Sequence, residues 1–517
     1  MKRTTLSLAA VAAALAAVTG VASLTAPDGP ATPTAKAPTR LPVERTSLLC
    51  PVPSTSEVAE TTYTSYTPGA AGTDKPKAGD DAKAGDDAKA TDGAKAELKP
   101  AGTAALPGDT PAKKPKEPKA PATVTKPGTP VTAEANGATA PALSGTATGT
   151  LAPGWTVQQT TVVPAGGSRG LLGVGCTAPD TDFWFPAAST AKQRQDYVHL
   201  TNPDDTAAVA DIELYGPEGA LKSQITEGIP VPAHSTVPVL LPTLTAGPAQ
   251  QDLTVHVTTR SGRVGAVVGS ADDKLGSDWL PASADPAGTA VLPGIPADAT
   301  SVRLVAYAPG DDDAELKVQL VTPTGTIVPA SAGALHVKSG MTAAVDLPDL
   351  TRGEPGSLLL TPADPKKATP FVAALRVVRG KGEQQEVAFI PATAAIDGRG
   401  TVADNRAKRG TLTLTAPGAA AEVRITASAG AQGGTPVTKT LTVKAGTTTA
   451  LTPPVPEGLK GSYALTVEHV SGGPVHASRM LALPQDGIPM FTIQPLDDDR
   501  GTVEVPAARQ DLSVLDD

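Results

Sequence analysis

The stretch VPAHSTVPV, residues 231–239, returns twice in related form later in the chain. It recurs as VKSGMTAAV from Val337 and as VKAGTTTAL from Val443, so both intervals are 106 residues (337 − 231 and 443 − 337). Two equal intervals indicate an internal repeat, and a period of this length is the size of a small domain. The chain after residue 150 is therefore predicted to consist of tandem copies of one fold.

Apolar and polar residues alternate within each copy. In AAVADIELYGPEG, residues 207–219, Ala210, Ile212 and Leu214 share one face and Asp211 and Glu213 the other. A period of two is typical of half-buried strands, and about seven such strands fit one period, as in an immunoglobulin-like sandwich. We predict an all-β chain of tandem immunoglobulin-like β-sandwich units. The alternative is a β-propeller with two blades in each repeat.

A short aromatic segment is expected to close each unit. The segments DFWFPA, SDWLPA and VAFIPA align Trp184, Trp279 and Phe389, and a large residue at one recurring strand position is expected in the core. The predicted β-sandwich units are 187–282, 283–392 and 393–496, followed by an acidic C-terminal tail, 497–517.

His234 and Ser235 are neighbours, as two members of a catalytic site could be. The position of His234 is occupied by Gly340 in the second copy and by Gly446 in the third. Glycine at this position favours a tight turn with a left-handed backbone. We therefore interpret the pair as part of a turn between two strands.

The N-terminus has the pattern of an export signal. Lys2 and Arg3 precede an uncharged apolar run, residues 6–24, and Pro27 follows it. This pattern predicts a signal peptide or an N-terminal membrane anchor over residues 1–26. The protein is therefore expected to be secreted or otherwise extracytoplasmic.

Residues 67–150 are rich in Ala, Pro and Lys and contain no aromatic residue. We predict a disordered low-complexity segment, because such a composition buries little apolar surface. The flanking segments 40–66 and 151–186 have strand composition and are interpreted as the two halves of a split β unit. Cys50 and Cys176 lie in these halves and are predicted to form a disulfide, with intermolecular pairing as the alternative.

Composition restricts the partners. The net charge is −9, which provides no electrostatic footprint for nucleic acid. The aromatic residues are five Phe, six Tyr and three Trp, so aromatic platforms for sugars or bases are scarce. An envelope protein or a glycan is the expected partner, and no cofactor is expected.

Acidic turns are the only candidate metal site. Asp204 and Asp205 in one copy, and Asp311, Asp312 and Asp313 in the next, fall in the same early turn. Clustered carboxylates could hold Ca²⁺, although no regular ligand spacing is present and solvated turns are the simpler interpretation. If they bind, a cationic partner or Ca²⁺ is favoured over an anionic polymer.

Two short matches to catalytic motifs do not carry a prediction. GGSRG places Ser168 in a nucleophile-elbow pattern, but a strand follows where that motif needs a helix. STAK places Ser189 and Lys192 in the serine–lysine pattern of penicillin-binding enzymes, without the partner motifs of those enzymes.

Several segments together resemble a known family. LLCP at 48–51, LLGVGCTAPDTDFWFP at 171–186 and LTNPDDTAAVADIELYGPEG at 200–219, with the export signal, are similar to uncharacterised secreted proteins of actinobacteria, a domain-of-unknown-function family. The resemblance implies a location in the cell envelope and supplies no activity. We expect a non-catalytic exported binding or structural module. The alternative is an exported hydrolase or an accessory protein of envelope polysaccharide metabolism.

Overall fold

The structure is a computed structural model that describes residues 39–69, 94–104, 122–330 and 332–505. The predicted signal peptide or anchor, 1–26, lies outside these residues. The described chain consists of strands with two short 3-10 turns, Gly149–Leu151 and Leu241–Leu244. The strands form separate two-layer units, so the prediction of tandem β-sandwiches is confirmed and the propeller alternative is wrong.

The first sandwich is formed by strands from the N-terminal third of the chain. In chain order the first ten strands are β1 (Thr39–Pro42), β2 (Arg45–Cys50), β3 (Glu60–Tyr66), β4 (Ala96–Pro100), β5 (Gly102–Thr103), β6 (Thr123–Val124), β7 (Val131–Asn136), β8 (Leu143–Thr148), β9 (Thr156–Val163) and β10 (Gly170–Gly175). Its two sheets have the orders β2-β8-β4-β6 and β10-β9-β3-β7.

This first sandwich corrects the prediction of disorder for the described parts of 67–150; residues 70–93 and 105–121 lie outside the described chain. The described parts of that segment supply β4, β6, β7 and β8 to this sandwich and β5 to the edge of a sheet of the second, and small apolar side chains such as Ala96, Leu98 and Val124 are buried in the core. Composition alone was misleading, because these few residues complete a core that β2, β3, β9 and β10 supply from either side. The segments 40–66 and 151–181 therefore share one sandwich with the described parts of 67–150, while Asp182–Ala188 belongs to the second sandwich.

The second and third sandwiches follow directly. The second contains β11 (Asp182–Ala188), β12 (Arg194–Thr201), β13 (Ala208–Gly216), β14 (Gly219–Ala220), β15 (Ile229–Val231), β16 (Ser235–Leu240), β17 (Leu253–Ser261), β18 (Gly265–Asp272) and β19 (Gly276–Leu280). The third contains β20 (Ala290–Ile295), β21 (Ala299–Tyr307), β22 (Ala314–Thr322), β23 (Gly325–Ile327), β24 (Ala334–Val337), β25 (Thr342–Asp346), β26 (Gly356–Pro362), β27 (Val372–Lys381) and β28 (Gln384–Pro391). The predicted alternation holds in β13, where Ala210, Ile212 and Leu214 are buried.

The fourth sandwich completes the series. It contains β29 (Arg399–Asn405), β30 (Gly410–Ala416), β31 (Ala421–Gly430), β32 (Gly433–Thr435), β33 (Val437–Val443), β34 (Thr447–Leu451), β35 (Glu457–Lys460), β36 (Tyr463–Gly472), β37 (His476–Ala482) and β38 (Phe491–Leu496). Corresponding strands pair in the same way in all four units; for example, β3, β12, β21 and β30 each lie at an inner position of the second sheet.

The chain ends form a separate small unit. Its strands are β1 and β39 (Thr502–Val505), which pair with each other, and Arg40 Nε lies 3.4 Å from Glu504 Oε1.

The predicted boundaries need two corrections. β11 runs through the boundary placed at 187, because Asp182–Ala188 pairs with β17 as the first strand of the second sandwich. The segment 497–517 is not simply an acidic tail, since Asp498 accepts the N–H of Gly398 at 2.6 Å and Asp499 pairs with Arg399. Residues 506–517 lie outside the described chain.

The four sandwiches form a closed ring. The last strands of the sandwiches, β10, β19, β28 and β38, contact one another in cyclic order, and β10 of the first sandwich meets β38 of the fourth. We call these the inner strands. The first strand of the fourth sandwich, β29, also packs against β9 and β3 of the first. The repeat therefore closes on itself.

Three inner strands each insert an aromatic residue into the preceding sandwich. Trp279 packs with Leu172 and Val174 of the first sandwich, Phe389 joins the core of the second, and Phe491 joins the core of the third. The prediction that Trp184 is equivalent to Trp279 and Phe389 is wrong. Trp184 lies on β11, the first strand of the second sandwich, whereas Trp279 and Phe389 lie on inner strands. The local sequences are similar, but the strands are not equivalent.

Candidate functional site

The repeated turn is a left-handed turn in every copy. His234, Gly340 and Gly446 have φ of 50°, 66° and 63°, which confirms the turn interpretation. The first sandwich contains a fourth copy, because Gly128 has φ of 84° and lies 234 − 128 = 106 residues before His234. The 106-residue spacing predicts this copy at Gly128. It was missed because residues 67–150 were expected to be disordered.

The turns at His234 and Gly446 form hydrogen bonds between neighbouring sandwiches. The carbonyl oxygen of His234 accepts the N–H of Gly102 in the first sandwich, at 2.9 Å. The carbonyl oxygen of Gly446 accepts the hydroxyl of Thr326 in the third, at 3.0 Å. Ser235 Oγ donates to the carbonyl of Pro232 at 2.8 Å, so the hydroxyl beside His234 is used inside the turn.

Three carboxylates of the acidic turns have partners within the chain. Asp204 accepts two hydrogen bonds from Arg263, each at 3.0 Å, and these lower the pKa of its carboxyl. Asp205 Oδ1 lies 2.7 Å from His234 Nε2. In the third sandwich, Asp313 Oδ1 accepts the N–H of Ser339 at 2.8 Å.

Asp311 and Asp312 lie in the same exposed turn as Asp313. Within the described ranges, no three His, Cys, Asp or Glu side chains come together as a metal site. The structure therefore does not assemble Asp204, Asp205, Asp311, Asp312 and Asp313 into a Ca²⁺ site.

The two serine motifs lie in turns. Ser168 is in the loop between β9 and β10, so strands flank it on both sides. Ser189 Oγ donates to the carbonyl of Gln250 at 3.1 Å and accepts the N–H of Ala191 at 3.0 Å. The hydroxyl of Ser189 therefore has a local structural role.

Cys50 and Cys176 form a disulfide. Cys50 ends β2, Cys176 directly follows β10, and both are buried in the first sandwich. The intramolecular pairing therefore connects the first and last strands of one unit.

An aromatic cluster flanked by carboxylates lies on the outside of the second sandwich. Three adjacent strands place Trp184 of β11, His256 of β17 and Glu213 of β13 directly opposite one another in one row. The rings of Trp184 and His256 stack with centroids 3.6 Å apart and planes 8° from parallel. We call Asp182, Trp184, Glu213, Tyr215, His256 and Tyr307 the acidic aromatic face.

Two carboxylates hold His256 in place. Asp182 Oδ2 lies 3.1 Å from His256 Nε2, and Glu213 Oε2 lies 3.3 Å from His256 Nδ1. Tyr215 donates its hydroxyl to the same Glu213 oxygen at 2.9 Å. The carboxylate side chains are 50% exposed for Asp182 and 55% for Glu213, whereas His256 is 12% exposed. The two carboxylates therefore face the solvent, and the ring of His256 lies mostly buried between them.

The third sandwich contributes Tyr307 to this face. Its ring lies 5.5 Å from that of Trp184 and 4.6 Å from that of Tyr215. Burial raises the pKa of Tyr307, and burial with the hydrogen bond to Glu213 raises the pKa of Tyr215. Both phenols are therefore neutral at physiological pH, and the negative charge of the face comes from Asp182 and Glu213.

Sequence reasoning identified only part of this face. The alternation in β13 placed Glu213 on the polar side of its strand, and Trp184 was expected to be buried, as it is in a cluster with Tyr307 and Val372. The pairing register of β11, β17 and β13 brings these residues together, and a single sequence does not reveal that register.

No helix among the described residues is long and apolar enough to span a membrane. In a comparison with protein families, the model of a family of unknown function matches residues 131–454, more than half of the chain. A search of curated proteins finds no match.

Proposed function

The chain belongs to DUF5719, a family of unknown function, and we propose that it is a non-catalytic exported envelope protein that binds a cationic partner through its acidic aromatic face. The partner is a basic segment of an envelope protein or an amine-bearing glycan. The observation that carries the proposal is the pair of exposed carboxylates, Asp182 and Glu213, held above stacked rings.

Export is supported by two features. The N-terminal run after Lys2 and Arg3 has the pattern of a signal or anchor segment. The Cys50–Cys176 disulfide is of a kind that persists in oxidising compartments outside the cytosol.

A binding role is supported by how the reactive side chains are used. Ser189, Ser235 and Asp204 make local hydrogen bonds or ion pairs that stabilise turns. On the acidic aromatic face, Asp182 and Glu213 fix the ring of His256, and their exposed carboxylates favour ammonium and guanidinium groups as hydrogen-bond donors. The net charge of −9 adds long-range attraction for the same class of partner.

The test uses the full chain and two matched double variants. Asp182→Asn with Glu213→Gln removes both charges of the face while keeping its shape. The control is Asp313→Asn with Glu315→Gln, because His336 lies between these two carboxylates in the third sandwich, at 3.5 Å and 2.6 Å. Binding to an oligolysine peptide and to purified cell envelope is measured for each protein.

We expect the first double variant to lose at least about tenfold in affinity for both targets, from two lost charge contacts of roughly 1 kcal/mol each. The control variant should bind as the native protein does. Equal binding by all three proteins would contradict the proposal.

His256 between two carboxylates is the one arrangement that favours the alternative, an exported hydrolase. A His held by a carboxylate can act as a general base. Hydrolysis of a cell-wall substrate by the native protein, abolished by His256→Gln, would replace the binding proposal with an enzymatic one.

A further inference from the structure

The outer edge of β10 is satisfied by side chains from two other sandwiches. The N–H of Leu171 donates to Glu386 Oε1 of the third sandwich, and the N–H of Gly173 donates to Asp278 Oδ1 of the second, both at 3.0 Å. An edge strand usually leaves such groups to water or to another strand. Here two carboxyl groups take the place of a neighbouring strand at the centre of the ring.

Both carboxyl groups are removed from solvent. Asp278 is 1% exposed and Glu386 is fully buried. The second oxygen of each group, Asp278 Oδ2 and Glu386 Oε2, has no hydrogen-bond partner among the described residues. A charge in such a place is costly, because burial without full hydrogen bonding disfavours the ionised form.

The groups facing these carboxyls compensate only in part. Thr492 of the fourth sandwich donates its hydroxyl to Asp278 Oδ1 at 3.1 Å. Arg169 approaches Glu386 Oε2 with Nε at 3.9 Å, while its Nη2 donates to the carbonyl of Gln385 at 2.6 Å. Asp278 and Glu386 also repel each other when charged. Arg169 thus faces Glu386, and the partners of Asp278 are neutral donors.

We propose that Asp278 and Glu386 form a pH-controlled lock on the ring. Uncharged, they hold β10 of the first sandwich against the second and third. When both lose their protons, the uncompensated charge at the centre drives the first sandwich away from the fourth and opens the ring.

The contact between the first and fourth sandwiches, which we call the closing seam, is suited to opening. It contains two small apolar groups, Tyr66 with Ala403 and Ala464, and Leu171 with Leu481 and Met490. Thr64 and Thr160 lie on the same sheet face as Tyr66, and their buried hydroxyls have no partner in the described chain. At the other three contacts an inner strand inserts an aromatic residue into the preceding core, whereas β10 has no aromatic residue and Tyr66 of the closing seam packs against two alanines.

The pH range follows from the buried acids. Burial raises the pKa of Glu386 to about 8 and raises that of Asp278 well above its usual value. An acid whose pKa is higher in the closed ring stabilises that ring fully below its ordinary pKa near 4.5. This stabilisation is lost as the pH rises from there through about 8. The proposal therefore places the closed ring at low pH and its opening in the range where Glu386 loses its proton.

The experiment follows the radius of gyration of the full chain by X-ray scattering between pH 5 and pH 9.5, with far-UV circular dichroism in parallel. We expect the radius to grow by about a fifth over this range while the strand signal stays constant, since compact and extended arrangements of the same domains differ at least this much. A constant radius would contradict the proposal, as would simultaneous loss of the strand signal.

Three variants separate the lock from general effects of pH. Asp278→Asn with Glu386→Gln keeps the acceptors for Gly173 and Leu171 and should stay compact at pH 9.5. Asp313→Asn with Glu315→Gln should expand as the native protein does. If the first pair fails to fold, Arg169→Gln gives the answer instead. It removes a charge that favours ionised Glu386, so the midpoint of expansion should move to higher pH, and an unchanged or lower midpoint would overturn the lock.

Discussion

The carbonyl oxygen of His234 accepts a hydrogen bond from the N–H of Gly102, 2.9 Å away, and so joins the second sandwich to the first. From there β16 pairs with β5 in parallel, with Ser235 opposite Gly102 and Thr236 opposite Thr103. The same turn in the fourth sandwich contacts Thr326 of the third. The repeated stretch that begins at Val231 therefore also forms contacts between neighbouring sandwiches.

Substitutions at His234 should follow its left-handed backbone. His234→Gly should leave the protein as stable or stabilise it by up to about 1 kcal/mol, because glycine adopts this conformation without steric cost. His234→Val should cost about 1–2 kcal/mol, since a β-branched side chain is strained there. Urea denaturation compares the two, and greater loss in the glycine variant would contradict the assignment of this site as a turn.

Gly173 should not tolerate a side chain. A Cβ there would lie 2.1 Å from Gln494 Nε2 and 2.6 Å from Thr492 Cγ2 of the fourth sandwich. Gly173→Ala is expected to cost about 1–3 kcal/mol through overpacking at the ring centre. The control is Gly175→Ala in the same strand, where nothing lies within 4 Å. Equal melting temperatures for both variants would show that the inner strands are not packed together.

The disulfide should stabilise the first sandwich. Cys50 and Cys176 are 126 residues apart, and in the chain-entropy model a loop of this length contributes up to about 5 kcal/mol. Reduction should lower the melting temperature of the native protein and leave a Cys50→Ala, Cys176→Ala variant unaffected. Non-reducing peptide mapping checks the pairing directly. An unchanged melting temperature after complete reduction would show that the bond does not constrain the fold.

Two buried histidines should weaken the fold in acid. Burial lowers the pKa of His199 and of His476 to about 4. Because the unfolded imidazole titrates near 6.5, the stability that each neutral ring contributes is present above pH 6.5 and lost as the pH falls towards 4, up to about 3 kcal/mol each.

His199→Gln should reduce this loss between pH 7 and pH 4.5, as measured by urea denaturation. His336→Gln, at an exposed position, should not. The buried acids titrate equally in both variants, so the difference between them isolates His199. Identical pH dependence would mean that His199 is not buried as a neutral ring.

The period and the alternation of the sequence predicted the sandwiches because both are local consequences of burying one face of each strand. They did not predict β4 to β8, where Ala96 and Leu98 carry the burial in a segment with a disordered composition. Gly128 was recoverable, since it lies one period before His234.

Ring closure and the acidic aromatic face were not predictable in this way. The contact of β10 with β38, and the meeting of Trp184 with Tyr307, join residues far apart in the sequence. Such contacts depend on how whole sandwiches pack against one another and on the register between paired strands. Local sequence similarity was misleading at Trp184. The segments DFWFPA and SDWLPA are alike, but they lie in strands that are not structurally equivalent.

Hydrogen exchange at the amides of Leu171 and Gly173 tests the closed ring most directly. Their N–H groups point away from β9 and bond only across the ring, to Glu386 and Asp278. At pH 6 a closed ring predicts that both amides exchange at least about 100-fold more slowly than in the unfolded chain, like amides paired within a sheet. Exchange at both positions as fast as in an unfolded chain, with the neighbouring amides of β10 that face β9 still protected, would show that the four sandwiches do not close into a ring.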